Sequence, residues 1–183
     1  MKEPAANPLD GYQPRQSRRV LTRLATEEDF GACYEIAVSL PHFFTKEVVD
    51  ELLPSDLRRF GAIVAEVNQS IEGFLVAYQK TPHIADILWL AVREQAQGKG
   101  VGAALIQGVA DAFSAAGVMI LEVKTLAPGT SSVGYQATRR FYESHGFEIL
   151  EIIDPFPGWN PGNPCAIYVK PLFLRDPGET KEA

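Results

Sequence analysis

The densest chemical signal in the chain is the run Leu88-Trp89-Leu90-Ala91-Val92-Arg93-Glu94-Gln95-Ala96-Gln97-Gly98-Lys99-Gly100-Val101-Gly102. An apolar stretch feeds a loop with three glycines, and a helical pattern starts inside that loop. Glycine permits backbone shapes and close approaches that a Cβ blocks. The amides of Gln97, Gly98, Lys99, Gly100, Val101 and Gly102 can therefore converge on one point, at the positive end of a helix. That is an anion site, and a pyrophosphate is its natural occupant. Lys99 adds a mobile positive charge. A dinucleotide fingerprint is formally present in Gly98, Gly100 and Ala103, with Glu122 at about the right distance. It fits poorly, because Arg93 to Gln97 separate it from its strand and it lies in mid-chain. The nucleotide P-loop is excluded, since no Gly-Lys pair is followed by Ser or Thr.

The elements around this loop must position it. Ile84 to Val92 is nearly all apolar, as in a strand covered on both faces. A helix runs from about Gly100 to Ala116 and ends at Gly117. Met119 to Leu126 predicts the next strand, Gln136 to His145 a helix, and Phe147 to Ile153 and Ala166 to Val169 two more strands. Upstream, Arg19 to Leu24 reads as a strand, followed by a helix opened by Thr26 and stopped by Pro41. A short helix follows Thr45 with Val48, Val49 and Leu52 inward, broken at Pro54. Ala62 to Val67 and Ile71 to Tyr78 form a hairpin turning at Asn68, Gln69 and Ser70. The order predicts one α/β domain over residues 18–174, a mixed sheet with helices on both faces. Residues 1–17 read as a flexible leader and 175–183 as a flexible tail.

Bulk properties narrow the partners. The chain has 183 residues, 46% of them hydrophobic, and a net charge of −6. An acidic surface repels phosphate backbones and argues against nucleic acid. Cys33 and Cys165 form neither a disulfide framework nor a metal-ligand pattern. No apolar run spans a membrane. Met1 to Asp10 lacks the apolar stretch of a signal peptide. The expectation is a cytoplasmic protein with no metal.

Gln95-x-x-Gly98-x-Gly100 resembles the acetyl-CoA signature of the GNAT N-acetyltransferases. Ala137-Thr138-Arg139-Arg140-Phe141-Tyr142-Glu143-Ser144-His145-Gly146-Phe147 resembles that family's closing helix and strand. The resemblance covers roughly Arg18 to Pro171 and implies a mostly antiparallel central sheet. It also implies acetyl-CoA as cosubstrate, a primary amine as acceptor, and direct attack without an acyl-enzyme; it is compatible with a homodimer. On the strand Leu90, Ala91 and Val92, the main chains of Leu90 and Val92 would hold the thioester carbonyl and the pantetheine arm. Tyr142 matches the tyrosine that protonates the leaving thiolate. For the base, Ala85-Asp86-Ile87 resembles the segment where histone-type acetyltransferases place a catalytic Glu. Asp86 is also a lone carboxylate in an apolar run, where burial makes it more basic. Glu122 is the second candidate, and an ordered water chain the third route. His42, His83 and His145 show no pairing. The loop Asp154 to Pro164, with Phe156 and Trp159, would form one wall of the acceptor pocket, and Phe43 and Phe44 the other. One departure stands out: Tyr135 replaces the Asn that relatives often place seven residues before the tyrosine. Two rivals remain: a non-catalytic acetyl-CoA sensor and a dinucleotide-dependent oxidoreductase.

Overall fold

Turn chemistry and alternation build the sheet, and a computed structural model describes residues 7–17, 20–129 and 133–172. The strands are β1 (Arg15–Ser17), β2 (Val20–Leu24), β3 (Ile63–Val67), β4 (Ser70–Thr81), β5 (Ile84–Val92), β6 (Ile120–Leu126), β7 (Glu148–Ile153) and β8 (Cys165–Pro171). The helices are α1 (Phe30–Val38), α2 (Lys46–Phe60), α3 (Val101–Ala115) and α4 (Val133–Ser144). β3 and β4 meet at a tight hairpin whose corner residues, Asn68 (φ 51°) and Gln69 (φ 66°), both adopt left-handed backbone, as a two-residue turn requires.

All eight strands form one sheet in the order β1-β2-β3-β4-β5-β6-β8-β7. Every neighbouring pair is antiparallel except β5 and β6. A lone parallel pair at the centre excludes the doubly wound parallel sheet of a dinucleotide-binding domain. α1 and α2 cover one face, burying Ile36, Val49, Leu53 and Leu57 against Val64, Phe74, Val76 and Trp89. On the other face α3 and α4 bury Leu105, Val109, Phe113 and Tyr142 against Leu75, Ile87, Leu121 and Tyr168. Among the described residues no helix is long and apolar enough to cross a membrane.

Two expectations need correction. α2 is not broken at Pro54 but runs on to Phe60. Proline forgoes one helical hydrogen bond, yet Val49, Leu53 and Leu57, spaced four apart, keep one stripe inward on both sides of it. Val48 and Leu52, predicted inward, are 42% and 45% exposed. The second correction concerns the expected leader. Its residues 7–17 form a short 3-10 turn, Pro8–Gly11, and then strand β1. Leu9 and Tyr12 are buried, and the Tyr12 hydroxyl shares a hydrogen bond of 2.6 Å with Thr22 Oγ1. Hydrophobic burial from two side chains outweighs the loop-like composition around them. Residues 1–6 of the leader and the tail 175–183 lie outside the described residues.

Candidate active site

β5 and β6 run side by side only from Ile84 opposite Ile120 to Ile87 opposite Val123. Beyond that point β5 continues to Val92 and β6 to Leu126 with no registered pairs. The strands part into a wedge, and a bulge sits where they part. Val76 of β4 faces Trp89 while Ala77 faces Ile87, so Leu88 is an extra residue. The bulge shifts the alternation. Ile87 packs toward α3 and α4, whereas Trp89 and Ala91 pack toward α1 and α2.

Hydrogen-bond alternation then decides which amides face the wedge. Arg93 N–H donates to Glu72 O on β4 at 2.9 Å. Counting back by two turns Ala91 toward β4 and the main chains of Leu90 and Val92 toward the open edge. The Val92 carbonyl confirms its direction by accepting from Gln97 Nε2 at 3.1 Å. Leu90 thus carries an available N–H and carbonyl in the wedge, and Val92 an available N–H, its carbonyl being taken by Gln97. Ala91 does not: its side chain is buried and its main chain is committed to β4.

The wedge leads to the glycine loop. Gly98 (φ 72°) and Gly100 (φ 86°) both adopt left-handed backbone. Gly100 is the N-cap of α3, and the first helical bond is Ala104 N–H to Gly100 O at 3.0 Å. The amides of Val101 and Gly102 have no partner four residues back and point out of the helix start, whereas those of Gln97 and Lys99, expected to converge with them, already donate to Glu94 O (3.2 Å) and Ala96 O (3.4 Å). Gln95, Gln97, Gly98, Lys99 and Gly100 are exposed, while Val101 is buried and anchors the loop. Gly102 has a further use. A Cβ there would lie 3.0 Å from the Phe141 ring, so only glycine lets the first turn of α3 meet α4 this closely.

α4 packs Tyr142 into the core on the α3 face of the sheet. Tyr142 is 5% exposed, between the rings of Phe141 (5.5 Å) and Phe147 (5.4 Å). Burial holds its phenol well above the ordinary range, so the proton stays in place at neutral pH. One turn earlier, buried Arg139 donates through Nη1 to Leu126 O (2.9 Å) and Ala127 O (3.3 Å), fastening α4 to the end of β6. Tyr135 donates to Phe43 O at 3.2 Å and stacks edge-on against the Phe43 ring at 5.3 Å. It ties α4 to the turn between α1 and α2. Phe44 packs on Trp89 at 5.2 Å, so that turn lines β5 beyond the bulge. Phe156 and Trp159 pack on each other at 5.3 Å in the β7–β8 loop. That loop joins the end of β6 through Ala127 N–H to Pro164 O, 2.9 Å.

Asp86 and Glu122 are registered opposite each other on β5 and β6. Asp86 is 4% exposed. Burial raises its carboxyl above the usual range, against the pull of Lys124. Lys124 Nζ lies 2.6 Å from Asp86 Oδ2 and 2.7 Å from Glu122 Oε1. Lys80 Nζ reaches Glu122 Oε1 at 3.1 Å. Burial would raise the Glu122 carboxyl, but the two lysines outweigh it and lower it. The basic group of the pair is therefore Asp86. Its Oδ1 is buried with no hydrogen-bond partner among the described residues. Sequence reasoning missed Lys124, Lys80 and Arg139. The signal for Lys124 was available: it stands two residues after Glu122 in a mostly apolar strand, hence on the same face.

A family model described as an acetyltransferase (GNAT) domain matches residues 58–149, just over half of the chain. No curated sequence matches. Among solved structures, a GNAT-family protein from Desulfovibrio desulfuricans is 25% identical with a TM-score of 0.72, over 84% of this chain and 99% of that one. The ribosomal-protein-S18-alanine N-acetyltransferase of Escherichia coli is 20% identical with a TM-score of 0.67, over 87% and 97%. A GNAT acetyltransferase from Elizabethkingia anophelis, crystallised with acetyl-CoA bound, is 20% identical with a TM-score of 0.61, over 85% and 100%.

Proposed function

The chain belongs to the GNAT acetyltransferase family, and from that premise we propose that it transfers the acetyl group of acetyl-CoA directly to a primary amine. The observation that carries this reading is the wedge. An open strand edge, with the Leu90 main chain and the Val92 N–H available, leads into a glycine loop capped by a helix start. A long cosubstrate with a pyrophosphate at one end and a thioester at the other suits that path. The loop from Gln97 to Gly102, with the Lys99 ammonium in it and Gln95 beside it, takes the pyrophosphate. Leu90 and Val92 take the amide arm, and the thioester carbonyl comes toward the bulge at Leu88.

The chemistry has three demands. The acceptor must shed a proton, since an alkylammonium near pKa 10 has no lone pair. Asp86 takes that proton, directly or through one water; it is buried and has one oxygen without a donor among the described residues. The oxygen of the tetrahedral intermediate is then met by main-chain amides at the wedge. Last, the C–S bond breaks, and Tyr142 gives its proton to the leaving thiolate. Its buried phenol keeps that proton until the charge appears on sulfur.

The test is calorimetry with acetyl-CoA and NAD, followed by an amine panel read by release of the CoA thiol. Binding of acetyl-CoA with amine-dependent release is expected. Binding without release on any amine would leave a sensor, and preference for NAD would overturn the reading altogether.

A further inference from the structure

Two carboxylates registered side by side in a sheet and largely withdrawn from water should not both remain ionised. Like charges that close share a proton, which raises one of the two midpoints strongly. Between Asp86 and Glu122, however, stands a third residue of the same face. The ammonium of Lys124 touches Asp86 Oδ2 at 2.6 Å and Glu122 Oε1 at 2.7 Å. It takes up one oxygen of each carboxylate. The other Asp86 oxygen, Oδ1, is left buried and without a donor among the described residues.

We infer that Lys124 is the positioning residue that keeps Asp86 ionised and leaves its Oδ1 as the open proton acceptor. This inference rests on the proposal that Asp86 takes the acceptor's proton. Lys124 touches neither the acceptor nor the thioester in this account; it acts through Asp86. The surrounding groups agree. From β4 come Lys80 and Tyr78, the latter registered opposite Asp86. From β6 come Glu122 and Lys124. From β8 comes buried Cys165, whose thiol is raised to about 11 by burial and so carries no charge at neutral pH. Lys80 reaches Glu122, and Lys124 is the cation hydrogen-bonded to Asp86. Burial works against the Lys124 ammonium, but its hydrogen bonds to Asp86 and Glu122 outweigh this and hold its proton more firmly than usual.

The experiment is a pH titration of the Asp86 side-chain carboxyl by carbon NMR, assigned with D86N, in the parent and three variants. In Lys124→Gln the Asp86 midpoint should rise by about one unit or more, as the paired carboxylates come to share a proton. In Lys124→Arg, which keeps the charge, it should stay near the parent value. In Glu122→Gln it should fall, because a like charge is gone and Lys124 turns wholly to Asp86. That third variant tests the idea even if the glutamine variant of Lys124 fails to fold. A midpoint that does not move in Lys124→Gln, or that fails to fall in Glu122→Gln, overturns the inference. The acid limb of acetyl transfer should follow the same displacement. If the NMR midpoint moves and the kinetic limb does not, Lys124 holds Asp86 as argued, and it is the assignment of Asp86 as base that fails.

Discussion

Replacing Gly108 by Ala pits two effects of opposite sign against each other. Gly108 is a buried position of α3. Helix propensity alone favours alanine there by about 1 kcal/mol. The structure argues the other way. A Cβ at Gly108 would lie 2.6 Å from the Tyr12 hydroxyl and 3.3 Å from two of its ring carbons. That hydroxyl is already held at 2.6 Å by Thr22, itself 1% exposed. Tyr12 must withdraw by roughly half an ångström or more to restore van der Waals distance. Losing its hydrogen bond costs about 1 kcal/mol, and stranding the buried Thr22 hydroxyl costs about 1–3 kcal/mol more. The net expectation is a loss of about 1–3 kcal/mol, or roughly 2–12 °C in Tm for a domain of this size. Urea unfolding of Gly108→Ala, Tyr12→Phe and the double variant forms a cycle. With the hydroxyl gone, the alanine should become neutral or stabilising, giving a coupling of about 1 kcal/mol or more. A Gly108→Ala variant more stable than the parent, or strict additivity in the cycle, would show that Tyr12 does not dock on α3.

Gly100→Val places a branched residue at φ 86°, which L residues avoid, though beyond its chain neighbours nothing among the described residues lies within 4 Å of the new Cβ. Stability should drop by about 1–2 kcal/mol with the fold intact, while acetyl-CoA affinity falls at least about tenfold, or 1.4 kcal/mol; unchanged affinity by calorimetry would remove the pyrophosphate from this loop. Tyr142→Phe should lower kcat by about a hundredfold with acetyl-CoA affinity nearly constant, and an unaltered kcat would assign the thiolate's proton to water. Asp86→Asn removes basicity and keeps shape. The carboxyl is raised by burial, and its basic form exists only above its folded midpoint, so parent activity should fall as pH drops through that midpoint. The variant should lose kcat/KM at neutral pH by about a hundredfold and recover as the free amine becomes abundant; a pH profile superimposable on the parent would reject Asp86 as base.

The parts of this molecule legible in its sequence are those governed by local rules. β5, the glycine loop and α3 follow one another within a single continuous pattern, and their bounds in the structure lie within a residue of those expected. The hairpin at Asn68 and Gln69 is likewise local. What could not be read depends on residues distant in sequence. Lys124 meets Asp86 across 38 positions, and neither residue alone announces the other. The bulge at Leu88 exists only as a mismatch with β4. Tyr12 and Leu9 look like loop residues until α3 is present to bury them. Pro54 shows the converse: a strong local breaker overruled by the packing of Leu53 and Leu57 on either side of it.

The strand order carries a consequence for synthesis. β8 lies between β6 and β7, although it follows both in the chain. A nascent polypeptide emerging from the ribosome can zip β1 through β5 as it appears, since each pairs with the strand just made. β6 can then lean on the four-residue parallel segment of β5, but its other edge stays bare, and β7 has nothing to pair with. Both wait for residues 165–171, which insert between them and finish two ladders at once. Until then the outer wall of the wedge is a single strand held on one side. A chain stalled short of Cys165 would therefore present a folded front half and an adhesive, unpaired β6 edge, a target for chaperones rather than a partly working catalyst.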